Sequence, residues 1–511
     1  MLVKTYGSSV YGINATKITV EVNVVNGFGF FLVGLPDSAV KESQHRIESA
    51  LMVYNHKMPG KKVVINMAPA DIRKEGSAYD LTLAMGILAA NEQMNNDIIA
   101  KYMIMGELSL DGSVQPIKGI LPMAINALEE GFEGLIIPAQ NAREAAVVGD
   151  LKVYGVENIG QVINFLNGEI ELQPTIIDID KEFESAAQEY ELDFAEVKGQ
   201  ESVKRALEVA AAGGHNIIMI GPPGAGKTMM AKRIAGMLPP LTLQEALETT
   251  KIHSVAGKIS RGTSLMTRRP FRSPHHTISD VALVGGGTYP QPGEISLSHN
   301  GVLFLDELPE FKRTVLEVMR QPIEERKITI SRAKFSVEYP ASCMLVASMN
   351  PCPCGYHNHP EKQCVCAPGM VQKYLNRISG PLLDRIDIHI EIVPVPFRDL
   401  AIVKLSESSE DIRQRVLKAR QIQSERFAKD NIHCNAQMSS KMLRKYVKID
   451  ETGQTLLRNA VERLGLSARA YDRIQKVART IADLENSESI LPQHLAEAIQ
   501  YRTLDRENWA G

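Results

Sequence analysis

A phosphate-binding loop occupies residues 221–228, where "GPPGAGKT" matches the pattern G-x-x-x-x-G-K-[ST]. Its glycines allow backbone N–H groups to converge on phosphate oxygens, and the N-terminus of the helix that follows favours negative charge. Lys227 would reach the β- and γ-phosphates of a nucleotide, and Thr228 would hold Mg²⁺. A chance glycine-rich turn is the alternative, but an apolar strand pattern precedes the loop and a helical pattern follows it. We therefore expect a nucleotide site formed by Gly221, Gly224, Gly226, Lys227 and Thr228.

Two further strand patterns end in polar residues that suit phosphoryl transfer. The apolar run Val302–Leu305 leads directly into Asp306 and Glu307, and "SCMLVASM" leads into Asn350. Buried parallel strands end at the ligand edge of their sheet, so these side chains would lie beside the phosphates. Asp306 suits Mg²⁺, directly or through water, and Glu307 suits activation of the attacking water. Asn350 could position that water; the alternative for the acids is an ordinary strand end in solvent.

Four of the six cysteines lie close together in "PCPCGYHNHPEKQCVC", as two Cys-x-Cys pairs. Four thiolates can hold one Zn²⁺ tetrahedrally at about 2.3 Å, and His357 or His359 could replace one sulfur. Six cysteines in 511 residues are too few for a disulfide framework, which favours a reducing, cytoplasmic protein. Reduced surface thiols and a redox or disulfide role are the alternatives. We expect a structural zinc at Cys352, Cys354, Cys364 and Cys366.

Alternating strand and helix patterns must position these residues. From about Asp193 to Val395 they alternate around glycine-rich loops, which predicts an α/β core with a parallel sheet and crossover helices. The residues before it read as mixed α/β followed by an acidic linker, and those after it as helical. The predicted blocks are 1–170, 171–192, 193–396 and 397–511.

The bulk composition is that of a soluble globular protein, with 44% hydrophobic residues and a net charge of −3. This balance excludes a polybasic coat but not a local basic patch. The opening "MLVKTYGSSVYG" lacks a signal-peptide pattern, and no apolar run approaches the roughly 18 residues of a membrane span. We expect a cytoplasmic protein without a membrane partner.

Two basic segments are candidates for contact with nucleic acid. No acid occurs between Glu248 and Asp280, a stretch rich in lysine and arginine, and "KITISRAKFSVEYP" reads as a β-hairpin with a basic tip. Such segments suit contact with a phosphate backbone without base readout. Solvated faces and subunit interfaces are the alternatives. The predicted DNA-contact residues are Arg268, Arg269, Arg272, Arg332 and Lys334.

The order of phosphate loop, Asp-Glu pair and strand-terminal Asn resembles an AAA+ ATPase, whose Asn is called sensor 1. More closely, essentially the full chain resembles the magnesium-chelatase-like YifB/ComM family, through segments such as "FRSPHHTIS", "GGGTYPQPGEISLSHNGVLFLDELPEF" and "NPCPCGY". The resemblance implies an arginine finger at Arg385 in "SGPLLDRIDIHIEI". It also implies a sensor 2 arginine at Arg469, with Arg473 as second choice, and a helical lid at the C-terminus.

The N-terminal block resembles the Lon-protease domain, of the ribosomal S5 domain 2 type, in "APADIRKEGSAYDLTLAMGILAA" and "GELSLDGSVQPIKGILPMA". In this alignment Ala78 takes the place of the nucleophilic serine and Leu121 that of the catalytic lysine, while Ser77 and Lys118 are displaced. A Ser–Lys dyad needs its hydroxyl and amine within hydrogen-bond reach. We expect a Lon-like fold without peptidase activity.

The family resemblance implies a hexameric ATP- and Mg²⁺-dependent motor on DNA. It would be a helicase or translocase that promotes branch migration in recombination or natural transformation, with recombination proteins as possible partners. The main alternative is a magnesium-chelatase-type motor subunit that remodels a protein partner. An ATP-dependent protease or chaperone and a nucleotide-dependent scaffold are weaker alternatives, because the dyad is missing and the ATPase residues form a complete set.

Overall fold

The computed structural model describes residues 2–187, 192–260, 262–287, 290–332, 335–357, 359–395, 406–430 and 432–502. The chain packs into two compact units. The first comprises Met1–Ala186, Leu243–Thr267 and Ala333–Tyr339, and the second comprises Ala187–Thr242, Arg268–Arg332 and Pro340–Gly511. Part of the basic insert thus packs with the N-terminal residues rather than with the sequence block that contains it. The four predicted block boundaries stay a prediction.

The first unit is built on a mixed seven-stranded sheet. Its strands lie in the order β3-β4-β2-β1-β5-β8-β9, with a separate short pair β6-β7. Strands β1 and β2 pair antiparallel as a long hairpin, whereas β1, β5, β8 and β9 run parallel. The strands are β1 (Leu2–Tyr11), β2 (Asn14–Val25), β3 (Phe30–Val33), β4 (Lys62–Ala68), β5 (Tyr102–Ile104), β6 (Glu107–Leu108), β7 (Val114–Gln115), β8 (Gly134–Pro138) and β9 (Lys152–Val156).

Helices cover this sheet and complete its core. Alternate residues of β2 face inward, as period-2 patterning requires, and the wholly buried helix Asp80–Ala90 packs against β1 and β2. The α-helices are Ser38–Lys41, Ser43–Val53, Asp80–Ala90, Ile120–Glu129, Ala142–Ala145, Ile159–Leu166, Ile179–Ala187 and Leu243–Val255. Short 3₁₀ turns are Ser77–Tyr79, Ile99–Lys101 and Ala139–Asn141.

The second unit contains the parallel sheet that the sequence predicts. Its strands lie in the order β11-β14-β17-β10-β18, and every neighbouring pair is parallel. The strands between residues 217 and 391, of which β16 lies mostly in the first unit, are β10 (Ile217–Ile220), β11 (Phe271–Arg272), β12 (Gly285–Gly286), β13 (Gln291–Pro292), β14 (Val302–Leu305), β15 (Lys327–Arg332), β16 (Phe335–Pro340), β17 (Met344–Met349) and β18 (Ile388–Glu391). Strands β15 and β16 fall where the hairpin is predicted, but Lys334 and the side chain of Arg332 lie outside the described residues.

The C-terminal helices share the hydrophobic core of this sheet. Ser467 accepts a hydrogen bond from Ala470 N and so caps the helix Ala468–Leu484, whose apolar face packs on the helix Glu201–Gly213. The other α-helices are Lys227–Arg233, Asp280–Val284, Glu294–Leu297, Arg313–Val318, Arg320–Glu325, Met370–Leu375, Gly380–Leu383, Ser409–Arg426, Ser440–Tyr446, Glu451–Leu464 and Pro492–Gln500. Short 3₁₀ turns are Phe194–Glu196, Ile234–Met237, Leu308–Glu310 and Asn435–Gln437. Within the described residues, no helix combines the length and apolar character needed to cross a membrane.

Candidate nucleotide site and cysteine cluster

The parallel sheet brings three chain segments to one edge. In the register, Ile220 at the end of β10 lies opposite Met349 at the end of β17, and Leu305 at the end of β14 lies opposite Ala347. The phosphate loop, Asp306 and Asn350 follow directly after these strand ends. Residues far apart in sequence therefore meet at the edge where parallel α/β sheets bind ligands.

Lys227 is held inside the loop by oxygen atoms. Its ammonium group donates to the carbonyl oxygens of Gly221 at 2.7 Å and Pro222 at 2.9 Å, and to Asn350 Oδ1 at 3.0 Å. Burial lowers the pKa of Lys227, against the opposing charges of Asp306 and Glu307. Among the described residues this partly desolvated ammonium is hydrogen-bonded to neutral oxygens, so it is suited to receive an anion such as a phosphate.

The loop backbone adopts the conformations that its glycines allow. Gly224 and Gly226 have φ angles of +81° and +86°, in the left-handed region. A side chain on Gly221 would place its Cβ 2.6 Å from the carbonyl oxygen of Ile392, so close packing also requires glycine there. The three glycines of the predicted site are thus explained by backbone conformation and space.

Asp306 is oriented by two hydroxyl groups. Thr228 Oγ1 donates to Asp306 Oδ2 at 2.7 Å, and the buried Ser348 donates to Asp306 Oδ1. A threonine hydroxyl and a carboxylate are the hard oxygen ligands that Mg²⁺ prefers, so this pair fits the predicted ion. Ser348 is missing from the predicted site, because a serine inside an apolar strand carries no motif of its own.

Glu307 adopts a left-handed backbone conformation with φ of +55°, which is unusual for a residue other than glycine. Its side chain is 57% exposed, and its Oε2 lies 3.9 Å from Nδ1 of His276. Backbone strain of this kind clusters at functional sites. Like Ser348, His276 belongs to no catalytic motif in the sequence, although it lies in "FRSPHHTIS".

The two arginines assigned by resemblance lie together, and they share one acid. Arg385, 5% exposed, donates to Glu324 Oε2 at 2.5 Å and to the carbonyl oxygen of Pro381 at 2.6 Å. Arg469 Nε lies 3.7 Å from Glu324 Oε1, and its side chain is 56% exposed. Within the described residues, the hydrogen bonds and ion pairs of Arg385 and Arg469 do not include Lys227 or Asp306.

Arg473, the second choice for sensor 2, has a structural contact instead. It donates to the buried Asp387, which also accepts a hydrogen bond from the backbone N–H of Asn216 at 2.9 Å. Although burial opposes ionisation, the positive charge of Arg473 holds the pKa of Asp387 well below its usual range. This buried ion pair ties the helix Ala468–Leu484 to the start of β18 and leaves Arg469 as the better sensor candidate.

Two of the predicted DNA-contact residues are engaged within the chain. Arg269 donates to the carbonyl oxygens of Pro239, Asn300 and Pro240 at 2.6, 2.7 and 3.2 Å. Arg272 forms a two-point ion pair with Glu294 at 2.6 and 2.7 Å. Arg268 is exposed, and it too has a partner. DNA contact at Arg268, Arg269 and Arg272 stays a prediction.

The four predicted cysteine ligands form one group. Their sulfur atoms all lie within 4.8 Å of one another, with Sγ–Sγ distances of 3.3 Å between Cys352 and Cys354 and 3.6 Å between Cys354 and Cys364. His359 Nδ1 instead accepts backbone N–H bonds at 3.0 Å within its own loop. The donor set is thus four sulfurs without a histidine.

The pKa values of the clustered cysteine thiols favour binding of a cation. Although desolvation opposes it, backbone N–H groups of Tyr356 and Val365 bring the pKa of Cys354 down to about 6. Against a backbone hydrogen bond that lowers it, desolvation and the neighbouring thiols raise the pKa of Cys366 to about 12. One thiolate forms readily and further ones repel each other, a repulsion that a divalent cation relieves.

In the first unit the displaced Ser77 and Lys118 have separate partners. Ser77 Oγ donates to Glu107, whereas Lys118 packs beside Gly257, where an added Cβ would lie 2.7 Å from its Cε. Leu121 is fully buried, and its N–H donates to Glu144 Oε1 at 3.1 Å. Lys74, another amine of this segment, is buried and bonded to the carbonyl oxygens of Gly34 and Pro69. These contacts contain no serine–lysine pair.

Comparison with known proteins gives matches along the whole chain. Residues 193–400 match the family model "Magnesium chelatase, subunit ChlI", residues 20–141 match "Subunit ChlI of Mg-chelatase" and residues 406–502 match "Magnesium chelatase, subunit ChlI C-terminal". The "Competence protein ComM" of Haemophilus influenzae is 44% identical over 98% of this chain and 97% of its own length. "Uncharacterized protein YifB" of Escherichia coli is 43% identical over 97% of this chain and 96% of its own. "Lon protease 2" of Bacillus subtilis is 31% identical over 28% of this chain and 27% of its own.

Proposed function

The chain belongs to the magnesium-chelatase-like YifB/ComM family, and from that premise we propose that it is a hexameric, ATP-driven motor on DNA. Its activity would be that of a helicase or translocase that promotes branch migration in recombination or natural transformation. ATP hydrolysis is supported by the contacts at one sheet edge, where Lys227 donates to Asn350 and Thr228 donates to Asp306. The relative named a competence protein supports the DNA part.

In the proposed hydrolysis, the loop N–H groups and Lys227 bind the phosphates, and Thr228 and Asp306 hold Mg²⁺. The ion, when bound, neutralises charge on the β- and γ-phosphate oxygens. Glu307, exposed beside Asp306, accepts the proton of the attacking water. The Lys227 ammonium donates to the γ-phosphate, and the Asn350 amide, held beside it, orients the attacking water.

We assign Arg385 and Arg469 to the nucleotide of a neighbouring subunit. They lie on one patch of this chain, where both contact Glu324, and their contacts do not include this chain's own Lys227. The γ-phosphate of a neighbour would replace the Glu324 carboxylate as the anionic partner of these guanidinium groups. A ring in which each subunit completes the next site is consistent with this arrangement.

We place DNA contact at Arg332 and Lys334, with Arg268 second. Arg269 and Arg272 hold the chain together through carbonyl oxygens and Glu294, so their guanidinium groups have few donors left for phosphate. Recombination proteins are the proposed partners. The cytoplasm, where thiols stay reduced, is the proposed location.

We also propose that Cys352, Cys354, Cys364 and Cys366 bind one structural Zn²⁺. Four sulfurs within 4.8 Å of one another can close around one ion by small movements of their side chains. Four protein ligands leave no open position, so the ion would stabilise its loop and take no part in hydrolysis.

A branch-migration assay tests the proposed function against a chelatase-type motor that remodels a protein. The purified protein is mixed with ATP, Mg²⁺ and a labelled forked or four-way DNA junction, and strand products are separated on a gel. We expect products with the unaltered protein and none with Glu307→Gln, which keeps the shape of the side chain but not its basicity. Unchanged junctions with the unaltered protein, under conditions where it hydrolyses ATP, would instead favour a protein substrate.

A further inference from the structure

The loop that carries the first two cysteines touches the phosphate loop. Gly355 has a φ angle of +84°, and a Cβ on it would lie 2.5 Å from Cδ and 3.1 Å from Cγ of Pro223. The backbone of Gly355 therefore packs directly on the Pro223 ring. Its N–H donates to the carbonyl oxygen of Cys352 at 3.0 Å, which closes a tight turn that includes Cys354.

The same segment touches the phosphate loop at a second point. Asn350, two residues before Cys352, accepts the hydrogen bond from the Lys227 ammonium at 3.0 Å. Cys352 is fully buried, and its Sγ lies 3.3 Å from Cys354 Sγ and 3.8 Å from Cys364 Sγ. Residues 350–355 thus join the cysteine cluster to a lysine and a proline of the nucleotide site.

We propose that metal occupancy of the cysteine cluster controls the affinity of the nucleotide site. Bonds from four thiolates to one Zn²⁺ cross-link residues 352–354 to residues 364–366 and restrict the chain between them. With the cross-link in place, the turn at Gly355 is held against Pro223 and the Asn350 amide stays beside Lys227. Loss of the ion releases both contacts and lets the phosphate loop sample conformations that do not bind phosphate.

This inference rests on the proposed zinc site and extends it from a structural ion to a regulatory one. The coupling runs through two contacts, a packed backbone and a charge-assisted hydrogen bond. We expect loss of zinc to weaken nucleotide binding about tenfold, which is the size of effect expected when such contacts are lost.

The test measures zinc and nucleotide binding separately in the full chain. Zinc per subunit is determined by mass spectrometry, and the Kd of a fluorescent, slowly hydrolysed ATP analogue by titration. The first variant, Cys364→Ser with Cys366→Ser, removes the two ligands that lie on the far side of the loop. Cys434→Ser, a buried cysteine outside the cluster, is the matched control.

A second variant, Gly355→Ala, disrupts the packing of residue 355 on Pro223 without removing a zinc ligand, so it distinguishes the effect of this contact from the effect of zinc. Its Cβ would collide with Pro223 while all four thiols remain. We expect it to keep one zinc and bind the analogue about tenfold more weakly, and the double serine variant to lose both zinc and affinity. Zinc returned to chelator-treated unaltered protein should restore affinity, which excludes a folding defect of one variant as the cause.

The outcomes distinguish the two proposals. If the double serine variant lacks zinc and binds the analogue as tightly as the control, the coupling is wrong and the zinc site stands. If the unaltered protein holds no zinc, both the zinc site and the coupling are wrong. Neither result depends on DNA, so the proposed motor function is judged independently.

Discussion

The buried ion pair between Asp387 and Arg473 gives a sharp prediction about stability. Asp387 is 2% exposed, and it joins the start of β18 to the helix Ala468–Leu484 through Arg473 and to Asn216 through a backbone N–H. Asp387→Asn preserves the size of the side chain but removes its charge. Arg473, with a side chain 15% exposed, would then keep a positive charge near the sheet without a counterion.

Removing one partner of a buried ion pair typically lowers the free energy of unfolding by about 3–5 kcal/mol. Asparagine can still accept the Asn216 hydrogen bond, so we take about 3 kcal/mol, the lower value. At about 2 °C per kcal/mol for a large unit, the Tm of the second unit should fall by roughly 6 °C.

Differential scanning calorimetry at neutral pH measures this shift, with Asp384→Asn as the control. Asp384 is a half-buried neighbour on the same segment and should lower Tm by less than about 2 °C. Arg473→Gln in the Asp387→Asn background should add little further loss, because the pair is already broken. Equal Tm values for the Asp387→Asn and Asp384→Asn variants would show that the Asp387–Arg473 pair does not stabilise the second unit.

The remaining predictions concern the pH dependence of stability, the Mg²⁺ and arginine residues of the ATPase site, and the missing peptidase dyad. Because the pKa of folded Asp387 lies below its ordinary value of 3.8, its contribution to stability is complete above about pH 5 and is lost as the pH falls further. The Tm difference between unaltered protein and Asp387→Asn should therefore shrink in acid, and a constant difference down to about pH 3 would contradict this assignment. Ser348→Ala removes one donor to Asp306 and should raise the Mg²⁺ concentration for half-maximal ATPase about tenfold, whereas an unchanged Mg²⁺ curve would exclude the orienting role. Glu324→Gln frees Arg385 and Arg469 for a neighbouring nucleotide and should raise ATPase without DNA about threefold or more; a fall to the rate of Arg385→Ala would contradict the assignment. Ser77→Ala should leave peptide cleavage at background, as in the unaltered protein, because Ser77 pairs with Glu107; cleavage that disappears in the variant would overturn the missing dyad.

The sequence predicts those parts of the candidate sites whose residues lie close together in the chain or directly follow an apolar strand. The phosphate loop is one contiguous motif, and Asp306 and Asn350 each follow a buried apolar strand, so their meeting at a parallel sheet edge follows from the strand pattern. The cysteine group is likewise visible as two close pairs. These predictions need only short-range information and a sheet whose strand ends coincide.

Other features depend on tertiary contacts that no local pattern specifies. Ser348 and Glu324 form hydrogen bonds with residues that are distant in sequence, Asp306 and Arg385. No local sequence pattern around Ser348 or Glu324 predicts these contacts. The basic spacing around Arg269 and Arg272 does not reveal that carbonyl oxygens and Glu294 bind these guanidinium groups, because those acceptors are distant in sequence. The packing of Leu243–Thr267 in the first unit is similarly a property of the fold.

The steady-state ATPase rate with and without DNA tests whether the protein is an ATP-driven motor on DNA. Purified protein is assayed with ATP and Mg²⁺ alone and with single-stranded, duplex or forked DNA, and Glu307→Gln serves as the inactive control. We expect at least one DNA form to raise the rate several-fold, and we expect the rate of Glu307→Gln to stay near zero with all of them. An unaltered rate with every form of DNA, in protein that hydrolyses ATP, would contradict it.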